Sequence, residues 1–101
     1  MNLKELKEAV GANGAVLVKR DGSLLMKELP ENIHAETFSI MCATIYGAAI
    51  TANSNLKSNL KKIEVEGEAG SLLILPVNDQ KLIALYSNSK INTEDVLKYL
   101  K

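Results

Sequence analysis

Few side chains in this sequence could carry chemistry, and those that could stand alone. The chain has one histidine (His34), one cysteine (Cys42) and one arginine (Arg20). Nucleophilic catalysis needs a base within hydrogen-bond reach of the nucleophile, and a metal centre needs several converging ligands. The spacing of these residues assembles neither, so we expect no catalytic, cofactor or metal site. Such an absence favours a protein whose function is binding.

Each of these three residues has a structural interpretation. His34 stands next to the start of a long apolar segment and is interpreted as a residue at a helix N-terminus. Cys42 lies inside that segment and is expected to be a small buried hydrophobe. An arginine inserted in trans can accelerate GTP hydrolysis. Because nothing else in the sequence orients Arg20, we interpret it as a solvated turn residue.

Two further patterns are similar to binding motifs but lack essential parts of them. The stretch GANGAV places its glycines before a predicted strand, whereas phosphate loops place them after a strand and ahead of a helix. Glu64, Glu66 and Glu68 alternate along another predicted strand, but no loop supplies further oxygen ligands for a cation. We interpret these glutamates as a solvated strand face.

The composition is typical of one soluble globular domain. The chain has 101 residues, 47% hydrophobic and 24% charged, which predicts a single domain over residues 1–101 with its own core. Its formal net charge is zero and only 4% of its residues are aromatic, so we expect no nucleic-acid or membrane partner. The single cysteine and the charged N-terminal stretch MNLKELKEAV, which lacks a signal-peptide pattern, predict a cytoplasmic location.

Periodicity and turn residues predict the first half of the fold. Apolar residues recur at helical spacing across residues 2–10, which predicts a short amphipathic helix that Gly11 ends. The runs AVLVKR and SLLMKE flank Asp21 and Gly22, a pair typical of a type I′ hairpin turn. A long helix follows, with the acidic Glu36 in its first turn.

The second half predicts three strands and a helix. KIEVEGE, SLLILPV and KLIALYS are joined by short turns and predict an antiparallel meander. NTEDVLKYLK predicts a terminal helix capped by Asn92 or Thr93. The order α-β-β-α-β-β-β-α predicts an α/β fold of the α+β type. We expect a five-stranded antiparallel sheet with the long helix on one face and the two short terminal helices on the other.

The long helix has no charged residue between Glu36 and Lys57. Its densely apolar part, residues 38–52, would span about 22 Å against a hydrocarbon core of roughly 30 Å, so we do not expect it to cross a membrane. Helical spacing gathers bulky side chains on one side, which predicts a stripe that covers the sheet. This stripe comprises Phe38, Met41, Cys42, Ile45, Ala49, Ala52 and Leu56. Small uncharged residues gather on the other side: Ile40, Ala43, Thr44, Gly47, Ile50, Thr51 and Ser54.

We interpret the small-residue side as an interface, because charge depletion marks interface cores and soluble monomers rarely expose such patches. A second copy packed about a two-fold axis is the simplest partner. A solvated face, or a face covered by another part of the chain, is the alternative. The strand KIEVEGE could pair its free edge with its counterpart, although its glutamates could instead protect that edge. The helix part of the predicted dimer interface comprises Ile40, Ala43, Thr44, Gly47, Ile50 and Thr51. If the strand edge pairs as well, the interface also includes Ile63, Glu64, Val65 and Glu66.

The order of elements, together with GAVLVKRDGSLL, ETFSIMCATIYGAA and EVEGEAGSLLILPVNDQKLIALYSN, resembles the Roadblock/dynein light chain family, which includes the bacterial MglB proteins. The resemblance covers almost the whole chain; a profilin-like or longin-type domain could share the same skeleton. It implies a homodimer in which the long helices pack together and the third strands pair into one ten-stranded sheet. It also implies a platform or regulator for Ras-like small GTPases, and the bacterial members stimulate GTP hydrolysis without an arginine of their own.

Three functions follow as hypotheses. The first is a dimeric module that binds a Ras-like small GTPase and alters its nucleotide cycle by fixing its switch loops. The second is a structural adaptor that is indifferent to nucleotide, and dependence of binding on GTP separates these two. The third is a small hydrolase or ligand-binding domain, which would need a pocket with perturbed titratable groups.

Overall fold

Eight elements follow one another along the chain in the predicted order. The computed structural model describes residues 2–100. The elements are α1 (Leu3–Ala9), β1 (Gly14–Lys19), β2 (Leu24–Glu28), α2 (Ala35–Asn55), β3 (Ile63–Glu66), β4 (Ser71–Pro76), β5 (Lys81–Ser87) and α3 (Thr93–Leu100). Met1 and Lys101, the two ends of the predicted domain, lie outside the described residues.

The five strands form one antiparallel sheet in the order β2-β1-β5-β4-β3. The strands β1, β5 and β4 occupy the centre, where both faces of each strand are covered. This placement explains why their sequences are apolar almost throughout. β2 and β3 are the two edges, and β3 has no partner on its outer side among residues 2–100.

Alternate side chains of the central strands enter two separate cores. On one face, Leu3 and Leu6 of α1 and Val96 of α3 pack with strand residues that include Leu17, Leu75 and Ile83. On the other face, Cys42 and Tyr46 of α2 pack with Val16, Val18, Ile74, Leu82 and Ala84. The predicted fold class and the predicted distribution of helices are therefore confirmed.

The three helices begin at side chains that accept a backbone N–H. The oxygen of Asn2 accepts from Glu5 N at 3.0 Å, and that of Asn92 accepts from Glu94 N at 2.9 Å. His34 caps α2: its Nδ1 accepts from Thr37 N at 3.3 Å. These bonds satisfy donors that a helix leaves free in its first turn. The interpretation of His34 as a helix N-terminal residue is confirmed.

The β1–β2 hairpin is present, but the predicted type I′ turn is wrong. That turn needs positive φ at both central residues, whereas Gly22 has φ 96° and Asp21 does not adopt positive φ. Gly22 N–H instead donates to Lys19 O at 2.9 Å, and the carboxylate of Asp21 accepts from Ser23 N at 2.8 Å. The turn is therefore closed between Lys19 and Gly22, with a left-handed conformation at Gly22 and not at Asp21. The side chain of Asp21 accepts a hydrogen bond from the backbone two residues on, as aspartates in turns often do. Gly22 rather than Asp21 adopts the positive φ.

Candidate interaction surface

The face of α2 that contacts the sheet is rotated relative to the predicted stripe and shares Phe38, Cys42 and Ile45 with it. Ala35, Ser39, Cys42 and Tyr46 are its buried residues, with Phe38 and Ile45 half-buried beside them. The predicted stripe is wrong at three positions: Met41 is 57% exposed, Leu56 is 77% exposed, and Ala52 is also exposed. After Glu36, no charged residue marks the outer side of this helix, and the size of its side chains does not predict how it is rotated about its axis. The small side chains of Ala35 and Ser39 lie against the sheet instead.

The outer side of α2 is uncharged and exposes few free polar groups. Ile40, Thr44, Ala48 and Thr51 lie there, all exposed. Thr44 Oγ1 donates to Ile40 O at 2.8 Å, and Thr51 Oγ1 donates to Gly47 O at 3.1 Å. Because these hydroxyl donors are already used inside the helix, the surface that remains is largely methyl groups. Such a surface gains free energy when another apolar surface covers it.

By length and composition, α2 is also the one helix among residues 2–100 that could cross a membrane. It has 21 residues, a mean hydropathy of 1.2 over its most apolar window, and only 22% of that window is buried. At about 32 Å it is longer than the apolar part measured from the sequence. Cys42 and Tyr46 nevertheless hold it on the sheet as part of the core. The absence of a membrane partner stays a prediction.

α2 lies closer to β1 and β2 than to β3 and β4. A Cβ added to Gly22 in the β1–β2 turn would lie 3.5 Å from Ile40 and 3.9 Å from Ala43. The Ile40 flank of α2 therefore faces the protein's own hairpin, so close that a side chain at position 22 would press on it. The opposite flank, which carries Phe38 and Ile45, faces the half of the sheet that α2 leaves uncovered.

A groove of about 430 Å³ opens on that uncovered half. Its apolar lining comes from Ile33, Phe38, Val65, Leu72 and Tyr86. The rings of Phe38 and Tyr86 meet edge to face with centroids 6.5 Å apart, which fixes one wall. Val65, on the edge strand, is 44% exposed. The groove is therefore an apolar surface that α2 and the edge strand share.

The edge strand β3 keeps the predicted alternation of faces. Ile63 packs into the α2 core, whereas Glu64 lies opposite Leu73 of the other core and is exposed. Lys62 Nζ lies 2.8 Å from Glu64 Oε1. The hydrogen bond from Lys62 and the positive charges of Lys62 and Lys90 hold the pKa of Glu64 below its ordinary value.

The predicted interface residues fall into two groups. Ile40, Thr44 and Thr51 are exposed, as are Glu64, Val65 and Glu66 on the edge strand. Ala43 and Ile50 pack partly against the protein's own core, Ile63 is half-buried, and Gly47 is half-buried with open space beside it. Sequence reasoning missed Met41, which lies one turn from Phe38 and Ile45 on the flank facing the groove. The size and apolarity of its side chain predict a position in the core instead. The interface itself stays a prediction.

The side chains with chemical potential do not converge. Cys42 is 1% exposed, and burial raises the pKa of its thiol to about 11, so it is protonated at neutral pH. Arg20 is an exposed residue of the β1–β2 turn, as interpreted from the sequence, and two contacts tether its side chain. Its Nη1 donates to Asp79 O at 3.0 Å, and its guanidinium lies 5.2 Å from the centre of the Tyr46 ring. Among the described residues, no group of three or more His, Cys, Asp or Glu side chains is placed to hold a metal.

This chain is similar to a known protein in sequence and to solved structures in fold. An uncharacterized protein of Methanocaldococcus jannaschii is 32% identical over 91 residues, which are 89% of this chain and 76% of that protein. Myxococcus xanthus MglB superposes with a TM-score of 0.85 at 18% identity, covering 95% of this chain and 76% of its own. The gliding protein MglB of Thermus thermophilus gives 0.82 at 20% identity, covering 96% and 76%. An MglB solved in a tetrameric arrangement gives 0.77 at 18% identity, covering 96% and 75%.

The family match extends from the first residue to the end of β5. The Roadblock/LC7 domain matches residues 1–87, which leaves α3 beyond the matched part. The resemblance noted from the order of elements is therefore confirmed, and the chain belongs to the Roadblock/LC7 domain family.

Proposed function

We propose that the protein is a dimeric regulator without a catalytic site of its own, which binds a Ras-like small GTPase in the cytoplasm. It would modulate the GTP hydrolysis or the location of that GTPase. The observation that carries the dimer is the apolar groove that α2 leaves open beside its uncharged outer side and the free edge of β3.

The uncovered half of the sheet supports a second copy as the partner. α2 leaves Val65 and Leu72 as the floor of an open groove, while Met41 projects from the flank above it. A two-fold axis beside β3 brings α2 of each copy next to the other, over a sheet that continues through both. Each copy then covers the exposed Met41 and Val65 of the other. Such an interface is isologous, the commonest kind in soluble oligomers.

Two observations support a small GTPase as the partner: the family to which the chain belongs, and the lack of a catalytic arrangement among the described residues. The resemblance noted from the sequence implies a platform for small GTPases, and the part of the chain that the structure describes brings no converging catalytic side chains to a partner. The guanidinium of Arg20 is engaged by Asp79 O and by the Tyr46 ring. The proposed regulator therefore acts by holding the switch loops of the GTPase in one conformation.

Capture with defined nucleotides tests this proposal. The immobilised protein is exposed to lysate of its own cells with GDP or with a non-hydrolysable GTP analogue, and any retained GTPase is purified for titration and hydrolysis assays. We expect a Ras-like GTPase that binds at least tenfold more tightly with the analogue, and whose hydrolysis rate or localisation changes. Equal binding with both nucleotides would support the adaptor instead, a reading that the tethered Arg20 also suits. If no GTPase is retained, the result contradicts both the proposed regulatory function and the proposed GTPase partner.

A further inference from the structure

This inference rests on the proposed dimer and specifies its strand pairing. We propose that β3 pairs with β3 of the second copy in a single register centred on Glu64, and that Lys62 and Glu66 select this register. The surface concerned is the free edge of β3, and its occupant is a second copy of this chain.

The backbone groups available for pairing are those of the even-numbered residues. Gly67 N–H donates to Gly70 O at 2.8 Å, so residue 67 faces β4. Backbone groups alternate between the two sides of an antiparallel strand. Lys62, Glu64 and Glu66 therefore point their N–H and C=O groups away from β4, toward the open edge. A second β3 can form hydrogen bonds with these groups.

Symmetry limits the registers to a few. Directly opposed residues of an antiparallel pair point to the same face of the sheet. If both copies of α2 are to lie on one face of the sheet, the two-fold axis must be perpendicular to the sheet. One residue of β3 then lies directly opposite its own counterpart, and this residue is the centre of the register. Four centres remain: Ile63, Glu64, Val65 and Glu66. A centre at Ile63 opposes Lys62 to Glu64 twice, but inside the strand it pairs only Ile63 with its counterpart, and on the apolar face it sets Val65 opposite Lys61. The other three centres are therefore compared.

The charges favour the centre at Glu64. That register opposes Lys62 of each copy to Glu66 of the other, which makes two attractive pairs and leaves one like-charge pair, Glu64 with its own counterpart. A centre at Val65 opposes Glu64 to Glu66 twice. A centre at Glu66 opposes Glu66 to itself and Glu64 to Glu68 twice. Like charges directly opposite each other are destabilising, so of the registers centred on Glu64, Val65 and Glu66 the first carries the fewest.

The apolar face selects the same register. With the centre at Glu64, Ile63 of each copy lies opposite Val65 of the other, and these side chains face the α2 core and its groove. With the centre at Val65, Ile63 lies opposite Gly67, and with the centre at Glu66, Val65 lies opposite Gly67. The charged face and the apolar face of the strand therefore favour the same register, although they consist of different residues.

The one like-charge pair, Glu64 with its own counterpart, lies near the side chains of Lys62 and Lys90. Lys62 Nζ lies 2.8 Å from Glu64 Oε1 in each copy, and Lys90 belongs to the cleft that Glu64 and Glu66 line. A lysine ammonium has three donors, so Lys62 can contact its own Glu64 and the Glu66 of the second copy together. The central carboxylates are thereby flanked by positive charge on both sides.

Charge reversal at Glu66 distinguishes the registers by the sign of its effect. With the centre at Glu64, Glu66→Lys opposes two lysines at two places, and we expect the dissociation constant of the dimer to rise about tenfold. Lys62→Glu alone should weaken the dimer similarly, and the double variant should restore it. With the centre at Val65, Glu66→Lys instead creates two attractive pairs and tightens the dimer. Tightening, or no change in a persistent dimer, overturns the proposed register.

Single cysteines provide an independent measurement in the same wild-type background, whose buried Cys42 serves as the uncross-linked control. Glu64→Cys places two thiols directly opposite, within the range that a disulfide spans. Val65→Cys thiols would be on residues about 8 Å apart in this register, and Glu66→Cys thiols farther still. We expect oxidation to cross-link Glu64→Cys fastest. Fastest cross-linking of Val65→Cys overturns the register, while a wild type that sediments as a monomer overturns the proposed dimer itself.

Discussion

At the scale of single residues, Ser39 is the group whose surroundings fit it least. It lies on the sheet-facing side of α2 and is fully buried, and within residues 2–100 its Oγ has no hydrogen-bond partner. Leaving a buried hydroxyl unpaired costs about 1–3 kcal/mol, and alanine is also the better helix former. We expect Ser39→Ala to raise the free energy of unfolding in urea by about 1 kcal/mol. Ser54→Ala at the exposed end of α2 is the control, because it changes helix propensity alone. A destabilised Ser39→Ala would mean that the hydroxyl is bonded.

Cys42 gives a pH dependence with a defined sign. Burial raises the pKa of its thiol from 9.0 to about 11 in the folded protein. Between these values the unfolded chain loses a proton that the folded chain keeps, so stability falls as the pH rises through this range. Below about pH 9 the contribution of the thiol is fully present. The prediction is that wild type loses stability more steeply than Cys42→Ala between pH 9 and pH 11, in urea titrations with reductant present.

The comparison with Cys42→Ala is needed because other groups titrate in the same range. Burial also raises the pKa of Tyr46 and Tyr86. Both tyrosines are present in wild type and variant, so the difference between the two curves isolates the thiol. Parallel curves would show that Cys42 is not shifted in the folded state.

At the scale of the elements, Arg20 ties two turns to α2. Its guanidinium joins the β1–β2 turn to Asp79 O in the β4–β5 turn and covers the ring of Tyr46. Such a cation–π contact at an exposed site contributes about 0.5–1 kcal/mol. Lysine keeps the charge but not the planar donors. We expect Arg20→Lys to lower the free energy of unfolding by about 1 kcal/mol and to speed amide hydrogen exchange in the β4–β5 turn. Exchange at wild-type rates there would contradict the tether.

The elements also show how far the sequence predicts this fold. Alternation, turn residues and capping residues predicted the order of elements and their layers, because each is a local signal. The rotation of α2 was not predictable in the same way, since the residues that set it, Ser39 and Tyr46, are not its most apolar ones. The tie between Arg20 and Asp79 joins residues far apart in the sequence. The groove was equally out of reach, because it depends on α2 lying nearer to β1 and β2 than to β3.

At the scale of the whole molecule, one half of a sheet face remains without its own helix. A sheet buried on both faces normally needs a complete second layer. Here the described chain supplies α2 for the β1 and β2 side, and the groove marks where the layer stops. A second copy supplies the missing layer only if the flank of α2 that carries Met41 meets it. The structure therefore favours the flank that carries Met41 as the contact between copies, whereas the sequence pattern favours the side that carries Ile40.

Three substitutions by glutamate decide between the two flanks. Met41→Glu places a charge on the groove flank and should weaken dimerisation at least a hundredfold, because burying an unpaired charge costs several kcal/mol. Gly47→Glu lies toward the Ile40 side, where no atom is within 4 Å of an added Cβ, so the protomer accommodates it and the effect should be smaller. Leu25→Glu, on the far edge strand, is the matched control and should leave the dimer intact. Sedimentation at micromolar concentrations measures all three. A monomeric Gly47→Glu beside a dimeric Met41→Glu would place the seam on the Ile40 side, as the sequence pattern predicted.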